Sequence, residues 1–405
     1  MAAGAAGDGA GMAARLVIDS GAILGADRLI PIRSAHIDGC LYHGDAGVHF
    51  AERLVAGGAR VAVPTTLNVG ALDLMHPTRS RLAGERRAMA LRLMRAYEAL
   101  GCKPTWTCAP YQAGHRPAAG TDVAWGESNA VAFCNSVLGA RTNRYGDFLD
   151  IACAIIGRAP RYGLHLADNR RATLVIDAGA LSARLRGLDA FWPVLGAIVG
   201  RRAGAAIAVV DGVAPFASED RLKALGAAAA SFGAVGLFHV AGVTPEAATL
   251  ADALGGVPAV ATITLSPEMV CAARGWLSTA DGDRADAVAI GSPHLSREEC
   301  EALLSLLAGR RCALPFYAHT SRHVLAALGG RTRALEAAGV SLVADTCIVV
   351  TPILPAEAGV LMTNSGKFAN YAPGNTGWSV VYGGLAECVE TAVSGRIVRD
   401  TEAWQ

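Results

Sequence analysis

From Ala172 onward the chain repeats one unit: a short apolar run closed by Gly, Pro or a polar residue, then an Ala/Leu-rich stretch. The runs are "ATLVIDA", "AAIAVVDG", "AVGLFHVAG", "AVATITLS", "AVAIGSPH", "LPFYAHT" and "SLVADTCIVV". Strands this apolar on both faces need helices on both sides. The rhythm therefore predicts successive βαβ units and an α/β fold of mainly parallel sheets flanked by helices, in three α/β/α layers. In such sheets reactive side chains gather beyond the carboxyl ends of the strands. Several runs end in that way, at Asp211, His239, Ser292 to His294, His319 and Asp345 to Cys347.

The first part is less regular. "ERRAMALRLMRAYEAL" predicts a helix with Met89, Leu93, Met94 and Tyr97 near one face, stopped by Gly101. "ARVAVPTTLN" reads as a strand running into a polar loop. The change of rhythm near residue 165 predicts two lobes around a cleft. Residues 13–165 with 355–405 would form the lobe carrying the substrate motifs, and 166–354 the other. An Ala/Gly-rich disordered tail is expected over residues 1–12.

Composition narrows the function. With 405 residues, 52% of them hydrophobic, the chain can bury a large core. Its 36 Lys and Arg against 35 Asp and Glu leave a net charge of +1, and no long basic run breaks that balance. A nucleic-acid or anionic-membrane partner is therefore not expected. No apolar run approaches the ~18 residues of a membrane span, and the start lacks the basic and apolar parts of a secretory leader. The ten cysteines are scattered, without Cys-x-x-Cys, which fits a reducing, cytoplasmic setting better than a disulfide framework. "NSGK" is not a phosphate loop, because Leu361 stands where the first Gly is needed and Phe368 follows Lys367.

Five segments are too polar for their surroundings. "AHIDGCLYHGD" offers His36, Asp38, Cys40 and His43; "PTTLN" offers Thr65, Thr66 and Asn68. "TCAPYQAGHRP" sets Cys108 in a Pro/Gly loop, and "TNSGKFANYAPGNTG" carries Ser365, Lys367 and Tyr371. The fifth, "GESNAVAFCNSVLGARTNRYGDFLDI", gathers Glu127, Ser128, Asn129, Asn135, Arg141, Thr142 and Arg144 among core-like residues. If residues 127–144 are largely helical, Asn135 and Ser136 lie two turns from Glu127 and Ser128 on one face. Arg141 and Arg144 would then offer planar forks for a substrate carboxylate or phosphate.

Taken in order, "AHIDGC", "VPTTLN", "CAPY", "GESNAVAFCNSVLGARTNR", "DTC" and "TNSGKFANYAPG" resemble the catalytic, large part of the aconitase X family, over roughly residues 30–395. The resemblance implies a dehydratase of the aconitase superfamily that uses an iron–sulfur cluster. Its implied reaction is loss of water from cis-3-hydroxy-L-proline, giving an enamine that tautomerises to 1-pyrroline-2-carboxylate. Dehydration of mevalonate 5-phosphate is the alternative, and a ligand-binding protein that has lost the cluster is an alternative of another class. Neither an extra Lys cluster nor the "GCPH" cysteine is present, which favours the proline-derived substrate. The family also implies a small swivelling domain, here expected as a separate subunit.

By the same resemblance, Cys108 and Cys347 match cluster-ligand positions. The position of a third ligand reads Ser292 in "GSPH", so Cys40, or less directly Cys134, is the expected replacement. A two-iron (2Fe-2S) cluster is then implied rather than a four-iron one. Ser128, Asn129, Asn135, Arg141, Thr142 and Arg144 would hold the carboxylate and cluster-side oxygens. Thr65, Thr66, Asn68 and Glu127 would complete the substrate set, and Lys367 would be a second anion anchor. Ser292 and Ser365 are candidates for the base, with His36 or Asp38 activating or replacing them.

Overall fold

The structure is a computed structural model and describes residues 7–404. Each of the seven apolar runs contains a strand, and these strands, with others from the first and last parts of the chain, assemble into three parallel sheets with helices packed against them. This is the expected mainly parallel, three-layer arrangement. The first sheet orders Thr65–Leu67, Ala35–Ile37 and Ala124–Trp125. The second orders Phe238–Val240, Ala208–Asp211, Leu174–Asp177 and Ala261–Thr264. The third orders Val340–Val343, Phe316–Thr320, Ala287–Leu295, Val360–Thr363 and Ser379–Tyr382. Among the described residues only Leu29–Pro31 and Arg158–Pro160 pair antiparallel.

Strand pairing divides the chain differently from the expected two lobes. Val360–Thr363 pairs with Ala287–Leu295, so the C-terminal segment completes the third sheet instead of joining the first 165 residues. Residues 166–354 are themselves split between the second and third sheets. The expected tail also differs. Residues 1–6 lie outside the described residues, but Asp8–Ile23 is a helix. Small residues make it pack rather than fray: a Cβ on Gly9 would meet Leu54 O at 2.6 Å, and Gly9 N–H donates to Gly57 O at 3.0 Å.

The helix Gly84–Ala99 follows its pattern, with Met89, Leu93, Met94 and Tyr97 all buried. The long polar stretch does not. Its helix, Ser128–Ser136, stops early, because Gly139 takes φ +69° and turns the chain. Residues beyond that turn leave the face shared by Ser128 and Asn135. No helix of the described residues is long and apolar enough to cross a membrane.

Candidate active site

Parallel strands deliver the site. In the first sheet Asp38, Asn68 and Glu127 each stand just past a strand's carboxyl end. In the third sheet Cys347 follows Val340–Val343, and Lys367 follows Val360–Thr363. These ends face a cleft of about 520 Å³ lined by Asp38, Asn68, Cys108, Glu127, Ser128, Arg144, Asp147, Cys347, Lys367 and Tyr371, among others. Thiols that lie far apart in sequence thus share one wall.

Glu127 organises the centre. It caps the helix Ser128–Ser136, its Oε2 accepting Ala130 N–H at 2.7 Å, and its Oε1 pairs with Lys367 Nζ. Burial disfavours the Lys367 ammonium, but the Glu127 carboxylate outweighs that and holds its pKa above the ordinary value. Lys367 is therefore committed to Glu127. Five non-glycine residues have positive φ among the described residues; Glu127 lines the cleft, and Trp106, Phe148 and Asp345 stand within two residues of the lining residues Cys108, Asp147 and Cys347. Such conformations cost about 1–3 kcal/mol each and collect at functional sites.

The carboxyl end of the cleft is crowded. Burial, with the charges of Glu127 and Asp147, raises the Asp38 pKa to about 7, although Asn68 Nδ2 donates to its Oδ1. Beneath it, burial raises Asp150 to about 8. Asp150 Oδ2 accepts Asp38 N–H at 2.7 Å, and its Oδ1 accepts Ile151 N–H at 2.6 Å, so this carboxyl holds the loop that carries Asp38.

At the thiol end, burial raises the pKa of Cys108 to about 12 and that of Cys347 above its ordinary value. Cys108 Sγ accepts His294 N–H at 3.3 Å, and Cys347 Sγ donates to Ser292 Oγ at 3.6 Å. Ser292 lies behind the cleft, in a void of about 40 Å³ shared with Ser365 and Lys367.

Several expected site residues are placed elsewhere. Cys40 is buried beneath the cleft, its thiol turned to the carbonyls of Ile37 at 3.4 Å and Asn68 at 3.5 Å, so it does not replace the missing third thiol. Cys134 packs in the core beside Phe133. Asn135 uses every polar atom on the fold: Nδ2 donates to Thr142 O and Gly236 O, and Oδ1 accepts from Thr142 N–H and Arg170 Nη1. Thr142 Oγ1 accepts Trp125 N–H and donates to Asn143 O. Arg141 forms a backbone β-bridge with Asp122, outside the cleft. Thr65 Oγ1 donates to Val63 O. Thr66 sits between His36 Nδ1 at 2.8 Å and His115 Nδ1 at 2.7 Å, so His36 is drawn into a buried chain away from the cleft. Asn129 Nδ2 donates to Cys108 O and so braces the thiol loop instead of lining the cleft. Ser365 caps its own helix, accepting Phe368 N–H at 2.9 Å and donating to Ser292 O.

Sequence reasoning missed Asp147 and Asp150, although both lie in the quoted polar stretch. Their role comes from contact with Asp38 across the fold, which no local pattern encodes.

The donor set is two thiols with a hydroxyl beside one of them. Among the described residues no three His, Cys, Asp or Glu side chains converge as a metal site. Iron–sulfur clusters are held by cysteine thiolates, and Cys108 and Cys347 are the thiols of this cleft that could serve.

Comparison with known proteins agrees with this architecture. Residues 1–168, 172–275 and 285–394 match the first, second and third domains of aconitase X. The chain belongs to the aconitase X family. It is 44% identical to cis-3-hydroxy-L-proline dehydratase of Pseudomonas aeruginosa, over 99% of this chain and 70% of that protein. It is 41% identical to the phosphomevalonate dehydratase large subunit of Methanothermobacter thermautotrophicus, over 91% of this chain and 90% of that one. The crystal structure of Thermococcus kodakaraensis aconitase X in its holo form superposes with a TM-score of 0.85 at 34% identity, covering 96% of this chain and 97% of that one.

Proposed function

We propose that this chain is the catalytic part of an iron–sulfur hydro-lyase that dehydrates cis-3-hydroxy-L-proline. The observation that carries the reading is the meeting of Cys108 and Cys347 in one cleft with Asp38, whose pKa is raised to about 7. Cys108 and Cys347 would hold the cluster, with Ser292 beside Cys347. When bound, the cluster supplies Lewis acidity for departure of the hydroxyl.

The chain's own groups do the rest. Asp38 removes the α-proton, and a group near pH 7 suits that task. Asn68 holds one of its oxygens. Arg144 lines the cleft and has no carboxylate partner among the described residues, so it is the cation that meets the substrate carboxylate. Lys367, paired with Glu127, supplies fixed positive charge near the thiols. Asp38, Glu127 and Asp147 make the cleft rich in carboxylates. Asp38 and Asp147 are suited to meet the ring ammonium of a cyclic amino acid while Arg144 meets its carboxylate. The resemblance to the two-part relatives, with 90% coverage of one large subunit, supports a separate small subunit as partner.

The test is anaerobic reconstitution with iron and sulfide, followed by side-by-side assays on the two substrates with the small subunit present. Iron uptake with turnover of the hydroxyproline supports the proposal. Binding of that substrate by a protein that takes up no iron would instead mark a ligand-binding protein.

A further inference from the structure

Behind the thiol wall, hydrogen bonds from three parts of the chain meet at His294. Its backbone N–H donates to Cys108 Sγ at 3.3 Å. Its ring Nε2 lies 3.0 Å from the carbonyl of Thr346, the residue before Cys347. A carbonyl only accepts, so Nε2 carries the proton, and Nδ1 of the neutral ring is left as an acceptor. Nδ1 takes the hydroxyl hydrogen of Thr107, whose oxygen is 3.0 Å away and itself accepts Ala109 N–H at 3.1 Å. The turn that carries Cys108 is therefore clasped on both sides of the thiol. The carbonyl of His294 accepts from Lys223 Nζ at 3.3 Å, and Lys223 is buried between Asp220 and Glu299.

Every polar group of His294 is thus engaged, and the partners span all three domains. Thr107 and Cys108 belong to the first, Lys223 to the second, and Cys347 to the third, which also carries His294. Nothing about this residue touches the cleft, yet both thiol loops hang from it.

We propose that His294 is a positioning residue that sets the two sulfurs relative to one another, with Thr107 as its link to Cys108 and Lys223 steadying its strand. The inference rests on the reading that Cys108 and Cys347 hold a cluster. Partners behind the ligands fix ligand orientation, and hydrogen bonds to ligand sulfurs tune the potential of a cluster.

Three variants test it. Thr107→Val keeps the shape and removes the hydroxyl, Thr107→Ser restores the hydroxyl, and His294→Gln keeps a donor for Thr346 O but loses the Nδ1 acceptor. After anaerobic reconstitution, loss of iron to a chelator should be about 10–100-fold faster in Thr107→Val and His294→Gln than in the parent. Their reduction potential should also be displaced, while Thr107→Ser should stay close to the parent in both respects. In the metal-free proteins, iodoacetamide should modify Cys108 and Cys347 faster in the same two variants. Circular dichroism confirms folding; if His294→Gln does not fold, Thr107→Val decides alone. Parent-like chelation, potential and alkylation in a folded Thr107→Val overturn the proposal. A parent that takes up no iron sinks the cluster reading instead, and the alkylation rates then decide the positioning claim by themselves.

Discussion

At one end of the cleft two thiols hang from strands of the third sheet and a neighbouring loop, with partners fixed by neutral donors. At the other end Asp38, Asp147 and Asp150 crowd together, and burial keeps protons on two of them up to about pH 7 and about pH 8. Both ends are buried, but the burial serves different purposes. The thiol end gains a fixed geometry, because its hydrogen bonds come from backbone and uncharged side chains. The carboxyl end gains a proton that can be exchanged near neutral pH, because like charges in a dry site resist joint ionisation. In the proposed function the thiols hold the cluster and the carboxyl group reacts.

The sharpest way to break that contrast is to remove a thiol. Cys108→Ala or Cys347→Ala should abolish iron binding and lower turnover by about 10³-fold or more, as loss of several kcal/mol of Lewis-acid stabilisation requires. Cys40→Ala and Cys134→Ala, which leave only small core voids, should keep full iron content; iron analysis separates the two classes. Next in size, Asp38→Asn should lower kcat by about 10²–10⁴-fold with iron content unchanged. In the parent, the basic form of Asp38 grows as pH rises, so kcat/KM should climb through about pH 7 and level off above it. A flat profile there would remove Asp38 as the base.

Arg144→Met should act mainly on KM, by roughly 10–100-fold, the worth of a charged hydrogen bond. A loss confined to kcat would place the substrate carboxylate elsewhere. Asp150 bears on stability rather than on turnover. An unfolded aspartate ionises near 3.8, and folded Asp150 near 8. Between those values the folded chain holds the extra proton, so stability from this group is full below about pH 4 and is lost as pH rises toward 8. Asp150→Asn cannot ionise, and its amide fits poorly against three backbone N–H donors. It should be less stable than the parent at about pH 5, with the gap narrowing toward pH 8. Denaturation midpoints at the two pH values check this.

Most of the fold was legible because buried parallel strands must be apolar throughout, and each predicted run contains one. The segments holding Asn68, Cys108 and Lys367 stood out as too polar for their surroundings, and the cleft brings them together; that Cys108 and Cys347 belong to one site was implied only by the family resemblance. Asn135, Arg141 and Thr142 misled for a physical reason. A polar side chain satisfied by backbone across a turn has the same composition as one that reaches a ligand. The helical tail misled because Ala and Gly signal disorder unless a partner surface is present, and that surface lies some fifty residues onward at Gly57. The Cys40 thiol turns to backbone carbonyls beneath the cleft, a direction that the order of residues does not encode.

The left-handed residues around the cleft carry a consequence for engineering. Glycine would relieve an unfavourable backbone conformation at each, but at Trp106 it would empty a fully buried site and at Glu127 or Asp345 it would break a buried ion pair, so a search for hardier variants would be drawn to Phe148. Its chain neighbour Asp147 lines the cleft. Variants selected there for heat resistance alone would tend to trade away the shape on which turnover depends.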